Sequence, residues 1–154
     1  VFSTLHTNDA VGAITRLIDM GTPPYMVASA VRMVAAQRLV RMLCPECKVR
    51  RGMTEAERRL LLPAECDRLA EGVWTAPGCP NCFGIGYRGR AAVIEVVPLR
   101  TAAMRELICR NAGADALRTL ALDEGLRPLR TGALQVVERG QTSLAEAFKI
   151  LVLD

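Results

Sequence analysis

Long apolar runs, a leader sequence and aromatic side chains are scarce or missing in this sequence of 154 residues. No apolar stretch approaches the ~18 residues of a membrane-spanning helix, because Arg32, Arg38 and Arg41 interrupt the most hydrophobic part. No charged leader with an apolar segment and a cleavage site is present, so a secretory signal peptide is not indicated. Because a β-like run starts at Val1, we expect the chain to be a piece of a longer protein.

A phosphate-binding loop of the type G-x-x-x-x-G-K-[ST] is also absent, and no Gly precedes a Lys. This stretch therefore cannot cradle the phosphates of ATP by itself. Residues Gly84–Gly89 match G-x-G-x-x-G, but they follow a cysteine pair and precede a predicted strand. A dinucleotide-binding loop instead follows a strand and opens a helix, so this match is rejected.

The composition permits a packed core but does not indicate which ligand the chain binds. Hydrophobic residues make up 51% of the chain and aromatic residues only 4%, so Leu, Val, Ala and Met must build the core. The formal net charge of +4 suits a nucleotide, a nucleic acid or an acidic lipid, and it does not decide among them.

Six cysteines are the strongest chemical signal in the sequence. Four of them form two C-x-x-C pairs, Cys44–Cys47 and Cys79–Cys82. Two such pairs can complete a closed shell of four thiolates around one metal ion, which would be structural because no position stays open for a substrate. Two disulfides or four buried thiols are the alternatives, and Cys66 and Cys109 are expected to be small core residues.

Hydrophobic periodicity, together with Gly and Pro residues that end helices and strands, predicts a mixed α/β chain. The predicted strands are Val1–Leu5 and Ala91–Pro98. The predicted helices are Asp9–Met20 (capped by Thr7 or Asn8), Pro24–Leu43, Thr54–Leu62, Thr101–Asn111, Asp115–Asp123, Pro128–Arg139 and Ser143–Leu153, the last with the capping-box pattern Ser143-x-x-Glu146.

His6, the single histidine, stands at a predicted strand-to-helix junction. Ligands and phosphates bind at such junctions in α/β sheets, so His6 with the Thr4 and Thr7 hydroxyls could position a phosphate. A capping or core histidine is the alternative. A group of arginines could face phosphate or a partner subunit, or be ordinary surface charge: Arg32, Arg38, Arg41, Arg88 and Arg90.

Several separated motifs, in this order, resemble the C-terminal part of type II secretion and type IV pilus assembly ATPases. They are Ser3–Asn8, Ala36–Cys47, Gly78–Arg90, Ile94–Val96 and Gly140–Leu144. The resemblance implies the last strands and helices of a RecA-like P-loop ATPase core, a small tetracysteine zinc subdomain and a C-terminal all-α subdomain. The corresponding segments are 1–43, 44–82, 83–100 (a link and a returning strand) and 101–154.

The same resemblance implies a homo-hexameric motor that hydrolyses ATP with Mg²⁺ and drives pseudopilin or pilin assembly. It implies a cytoplasmic location at the inner membrane, platform proteins as partners, and no direct nucleic-acid contact. His6 would be the catalytic residue near the γ-phosphate, with Thr4, Thr7 and Arg38 binding the nucleotide and the four paired cysteines binding Zn²⁺. The phosphate-binding loop and the acidic Mg²⁺-binding segment of such motors are missing from this chain.

Two other functions compete with this interpretation. A stand-alone zinc module could recognise nucleic acid or a protein partner through its arginines, although the few aromatic residues offer little base stacking. The run Cys79–Gly86 also resembles one repeat of the zinc module of DnaJ-type chaperones, but that module needs several repeats and only one is present.

Overall fold

The computed structural model describes residues 1–151 as a mixed α/β chain, which confirms the predicted class at this level. The helices are α1 (Ala10–Asp19), α2 (Pro24–Ala30), α3 (Glu55–Arg59), α4 (Pro63–Arg68), α5 (Ala102–Cys109), α6 (Ala114–Asp123), α7 (Leu129–Glu138) and α8 (Leu144–Leu151). The strands are β1 (Met33–Leu43), β2 (Val49–Arg51), β3 (Val73–Thr75) and β4 (Tyr87–Pro98), with a 3-10 turn at Pro80–Cys82. Strand β1 pairs with β4, and β2 pairs antiparallel with β3.

The chain divides into two compact units, each built from two separated segments. The first unit contains residues Val1–Gln37 and Ile94–Leu129. The second contains Arg38–Val93 and the chain from Arg130 onward. The four consecutive segments expected from the sequence stay a prediction about domain organisation.

The core of the first unit is helical. Helix α2 packs on α5, α6 packs on both α5 and α1, and α1 also contacts α2. Helix α1 buries Val11 and Ile14 on one face because residues three apart share a helical stripe. Met104 and Ile108 of α5 and Leu117 of α6 are fully buried in the same unit.

The second unit combines the β2–β3 pair with short helices and with α7 and α8. Helix α3 begins with a capping box in which Thr54 and Glu57 satisfy each other's backbone amides. Arg130 of α7 makes a bidentate contact with Glu65 of α4, with both nitrogen–oxygen distances at 2.7 Å. The pKa of Glu65 is lowered mainly by the hydrogen bonds from Arg130, so this carboxylate stays ionised.

The predicted helix Pro24–Leu43 is wrong, because helix α2 ends at Ala30 and β1 begins at Met33. The chain alternates along β1: the odd residues from Met33 to Arg41 are exposed, whereas Ala36 and Val40 are buried. Pairing with β4, 44 or more residues away in the sequence, decides this segment, and local helix propensity does not reveal such a partner.

The N-terminal prediction also needs correction. Residues 1–7 form no strand, and Asp9 rather than Thr7 or Asn8 caps α1. A strand needs a neighbouring strand to receive its hydrogen bonds, and among the described residues no strand pairs with this segment. Asp9 has extended backbone angles and its carboxylate accepts the Gly12 amide at 2.6 Å, which is the geometry of an N-cap.

The remaining predicted elements are present with shifted ends. The ends of helices α1, α3, α5, α6 and α7 lie within three residues of the predicted bounds. Helix α8 is described as far as Leu151, so the predicted end at Leu153 lies outside the described residues. Strand β4 begins at Tyr87 instead of Ala91, and the sequence did not indicate β2, β3 or α4.

Candidate metal centre and the His6 segment

Two tight turns of the second unit bring the paired cysteines together. Cys44 follows the last residue of β1, and its carbonyl accepts the Lys48 amide at 3.1 Å. Cys79 precedes the 3-10 turn, and its carbonyl accepts the Cys82 and Gly84 amides at 3.2 and 2.9 Å. The Cys44 amide donates to the Gly86 carbonyl at 2.9 Å, which ties the first turn to the second.

The four sulfur atoms of Cys44, Cys47, Cys79 and Cys82 lie within 4.8 Å of one another. The Sγ–Sγ distances are 3.9 Å for Cys44–Cys79 and Cys47–Cys82, and 3.7 Å for Cys79–Cys82. Sulfur ligands about 2.3 Å from a tetrahedral ion stand about 3.8 Å apart, so the cluster fits a four-thiolate metal site. All six cysteines are free thiols, which argues against the two-disulfide alternative.

Backbone amides prepare Cys82 to act as a thiolate. Its sulfur accepts the Cys79 amide at 3.1 Å and the Gly86 amide at 3.2 Å. Burial of Cys82 opposes ionisation, but these N–H donors outweigh it and lower the pKa of the thiol. Burial instead raises the pKa of Cys47, and contacts with the neighbouring cysteines raise it further. A bound cation would supply the positive charge that allows all four sulfurs to be thiolates.

Gly86 is required where the second turn meets β4. Its φ is +74°, and a Cβ atom there would lie 2.4 Å from the Ala76 carbonyl oxygen. The same residue donates to the Cys82 sulfur and accepts from the Cys44 amide. Only glycine allows this backbone to approach so closely on both sides. The glycine run therefore shapes the cysteine cluster and leads into β4, as its context in the sequence indicated.

Lys48 and Trp74 support the first turn from outside. The Lys48 ammonium donates to the Gly140 carbonyl at 3.0 Å and lies 4.9 Å from the centroid of the Trp74 ring. A cation at this distance from an indole face is attracted by the ring electrons. The sequence carried no signal for this contact, because the three residues are far apart along the chain.

His6 lies in an exposed segment of the first unit. Thr4 and His6 are exposed, and Thr7 is half-buried with its hydroxyl donating to the Asp9 carbonyl at 3.0 Å. Helix α1 begins four residues after His6. The three residues therefore share one segment next to a helix N-terminus, as predicted, although no strand precedes it.

Two carboxylates already occupy the first turn of α1. The Asp9 carboxylate accepts the Gly12 amide, and Glu95 Oε1 accepts the Ala10 amide at 2.9 Å. Arg118 Nη2 donates to the outer Asp9 oxygen at 2.6 Å. These negative groups complement the positive end of the helix dipole themselves. Binding of a phosphate by these amides is therefore disfavoured. A phosphate contact in this segment would have to come from the side chains of His6, Thr4 and Thr7.

The arginines proposed for ligand contact have different settings. Arg38 belongs to the second unit and is half-buried on β1, whereas Thr4, His6 and Thr7 belong to the first. Arg41 binds Glu146 within the second unit, so its role there is structural. Arg32, Arg88 and Arg90 are exposed.

Sequence reasoning missed the long-range contacts of Glu95, Arg118 and Glu146, although Glu146 stands in the predicted capping-box pattern and Glu95 in the Ile94–Val96 motif. Glu95 had a detectable signal, because it is in phase with the buried Val93 and Val97 on β4. A charged residue at an inward position usually has specific partners. The contacts of Arg118 with Asp9 and of Glu146 with Arg41 had no such signal, since these partners lie more than 100 residues away.

Comparison with known proteins shows the family. The family model described as "Type II/IV secretion system protein" matches residues 1–149. The chain is 43% identical over 152 residues to type II secretion system protein E of Aeromonas hydrophila, covering 97% of this chain and 29% of that protein. It is 41% identical over 150 residues to type II secretion system ATPase E of Vibrio cholerae, with 97% and 29% covered.

A relative from the pilus branch matches to a similar extent. Type IV pilus assembly ATPase TfpB of Acinetobacter baylyi is 35% identical over 153 residues, covering 99% of this chain and 26% of that protein. The chain belongs to the type II/IV secretion system protein family, which confirms the resemblance found in its motifs. It spans less than a third of the length of these curated relatives. Among the described residues, no helix is both long and apolar enough to cross a membrane.

Proposed function

We propose that this chain is the C-terminal part of a hexameric motor ATPase that powers pseudopilin or pilin assembly. The observation that carries the proposal is the family match over residues 1–149. Relatives at 41% and 35% identity are named as a secretion ATPase and a pilus assembly ATPase.

Within such a motor, His6 would respond to the nucleotide. An exposed imidazole beside the Thr4 and Thr7 hydroxyls can donate hydrogen bonds to phosphate oxygens. Arg38 would supply positive charge to the same nucleotide or to a neighbouring subunit. Helices α1 and α2 and strand β1 of segment 1–43 would then be the end of a RecA-like core.

The cysteine cluster would hold Zn²⁺ as a structural ion. Four sulfur ligands leave no open position, so the ion would stabilise the fold without touching a substrate. The segments 44–82, 83–100 and 101–154 would form the metal-binding subdomain, the returning link and strand, and the terminal helical subdomain. Inner-membrane platform proteins would be the partners of the hexamer on its cytoplasmic side.

The test is a kinetic comparison in the full-length ATPase that contains this chain. His6→Ala should lower kcat by about a hundredfold while nucleotide affinity changes by less than about threefold, since the side chain would act on the transferred phosphate. Ser3→Ala is the control, because Ser3 is an exposed neighbour in the same segment. Equal losses of turnover and affinity would show that His6 only binds nucleotide.

A second measurement addresses the alternative of a stand-alone zinc module. The chain of 154 residues should hydrolyse no ATP above background, because it lacks the phosphate-binding loop. It should also bind duplex DNA weakly even at low salt. Tight binding with a steep salt dependence would instead favour nucleic-acid recognition.

A further inference from the structure

Glu95 is a buried carboxylate in the first unit that the proposed function has not used. It is 1% exposed and lies between Val93 and Val97 on the inward face of β4. A charged group at such a position costs free energy unless polar groups satisfy it. No buried side-chain oxygen or nitrogen of the described residues lacks a hydrogen-bond partner, so Glu95 is satisfied.

Its two oxygens serve the first amides of two different helices. Oε1 accepts the Ala10 amide of α1 at 2.9 Å, and Oε2 accepts the Leu129 amide of α7 at 3.1 Å. Both donors stand at the first helical position, where an N–H has no partner within its own helix. One side chain thus holds the beginnings of two helices at a fixed separation.

The contact with Ala10 sets where the His6 segment leaves the core. Ala10 is fully buried, while the exposed His6 stands four residues earlier. Asp9 reinforces this attachment through the Gly12 amide and through Arg118. The chain from His6 to Asp9 is short enough that a shift of the Ala10 amide moves the imidazole.

We propose that Glu95 is the positioning residue for His6. It fixes the direction in which the segment leaves α1, and thereby the place of the imidazole, without touching a ligand itself. The expected effect on turnover rests on the proposed function, whereas the expected displacement of the imidazole does not.

The first experiment reads out the imidazole directly in this chain. Because His6 is the only histidine, its ring proton signals are identifiable by NMR without a full assignment. Glu95→Gln keeps the shape but turns one acceptor into a donor that faces an N–H, so one helix contact is lost. We expect the His6 ring signals to shift and exchange of the Ala10 or Leu129 amide to accelerate about tenfold or more.

Glu146→Gln is the matched control, since Glu146 is also buried but belongs to the second unit. The His6 signals should stay in place in that variant. If Glu95→Gln does not fold, as judged by circular dichroism, Glu95→Asp provides the same comparison with the charge kept. His6 signals that stay unchanged in the folded Glu95 variant would overturn the proposal.

The second experiment measures turnover in the full-length ATPase. Glu95→Gln should lower kcat about tenfold or more with KM for ATP within about twofold, because a displaced imidazole affects the reacting geometry more than binding. If Glu95→Gln accelerates amide exchange but leaves both the His6 ring signals and kcat unchanged, the proposal is overturned and Glu95 is a purely structural cap. If the His6 signals shift while kcat stays unchanged, the positioning stands and the proposed role of His6 in turnover fails. If the unaltered ATPase shows no turnover while the His6 signals shift in Glu95→Gln, positioning stands and the proposed function fails.

Discussion

The guanidinium of Arg41 lies over the ring of Tyr87, with 4.1 Å from Cζ to the ring centroid, while its Nη2 donates to Glu146 at 2.8 Å. The other Glu146 oxygen accepts the backbone amide of Arg41 at 3.1 Å. The Tyr87 hydroxyl in turn shares a hydrogen bond of 2.7 Å with Ser143. Strands β1 and β4 are thereby tied to the beginning of α8 just ahead of the cysteine cluster.

Acid should weaken the second unit through Glu146. Burial raises the pKa of this carboxyl, but hydrogen bonds from Arg41 and Lys149 outweigh burial and lower it from 4.5 to about 2. A lowered folded-state pKa stabilises the fold above the unfolded value, and that stability is lost as pH falls from about 5 through about 2. We expect the free energy of unfolding to fall by about 2 kcal/mol over this range from Glu146.

Fluorescence of Trp74, the only tryptophan, follows denaturant unfolding of the same unit. Glu146→Gln should have a lower free energy of unfolding at neutral pH, and this free energy should fall less as the pH drops from about 5 to about 2. Glu57, whose pKa is also lowered to about 2, mainly by Arg51, keeps titrating in both proteins. Identical acid responses with and without Glu146 would contradict the prediction.

Replacing one ligand should release the metal. Cys79→Ser removes one of four sulfurs, and a three-sulfur site binds zinc more weakly because hydroxyl is a poor ligand. We expect bound zinc to fall from about one ion per chain towards zero and the second unit to lose its sharp Trp74 unfolding transition. Metal content by mass spectrometry checks this.

Cys109→Ser is the control for the metal site. Cys109 is an exposed free thiol on α5 of the first unit, outside the cluster. That variant should keep its zinc. A Cys79→Ser protein that retained a full equivalent of zinc would show that the four cysteines are not the ligand set.

Gly86→Ala should damage the second turn more than Gly89→Ala. Both residues have positive φ, +74° and +78°, so each pays the strain of a left-handed alanine, about 1 kcal/mol. Only the Gly86 Cβ would also meet backbone, the Ala76 carbonyl oxygen at 2.4 Å, whereas nothing lies within 4 Å of the Gly89 Cβ. We expect Gly86→Ala to cost at least about 3 kcal/mol and to weaken zinc binding.

Unfolding free energies of the two glycine variants, measured with and without a chelator, provide the comparison. Gly89→Ala should retain zinc affinity. Equal losses of stability in both variants would mean that backbone strain alone, and not the close approach to Ala76, explains the need for glycine.

Local signals predicted much of this structure. Gly residues that end helices, such as Gly21 and Gly125, placed most helix ends close to their observed positions. Thr54 and Thr101, predicted as first helical residues, are the N-caps of α3 and α5. Their effects act within one turn of the helix, so they can be read from neighbouring residues. The spacing of the two C-x-x-C pairs likewise predicted their cluster, and the structure brings the four sulfurs together.

Elements that depend on a distant partner were not predicted. The segment Met33–Leu43 is rich in helix-compatible residues, and only pairing with β4 makes it a strand. Strands β2 and β3 are three residues long each, which is too short for an alternation of apolar and polar residues to be detected. Two other capping residues, Thr7 and Asn8, stand just before Asp9, and only the backbone angles of Asp9 and its hydrogen bond with the Gly12 amide distinguish the cap.

The amino-acid sequence alone determined the family, most helix ends and the set of four cysteines, because each rests on residue identity at short spacing. Tertiary structure decided that β1 is a strand, that Glu95 holds two helix beginnings and that Glu146 binds Arg41. Hydrogen bonds and ion pairs across 34 to 105 residues stabilise these arrangements. Such contacts arise only when packing brings distant segments within a few ångströms, which no local pattern encodes.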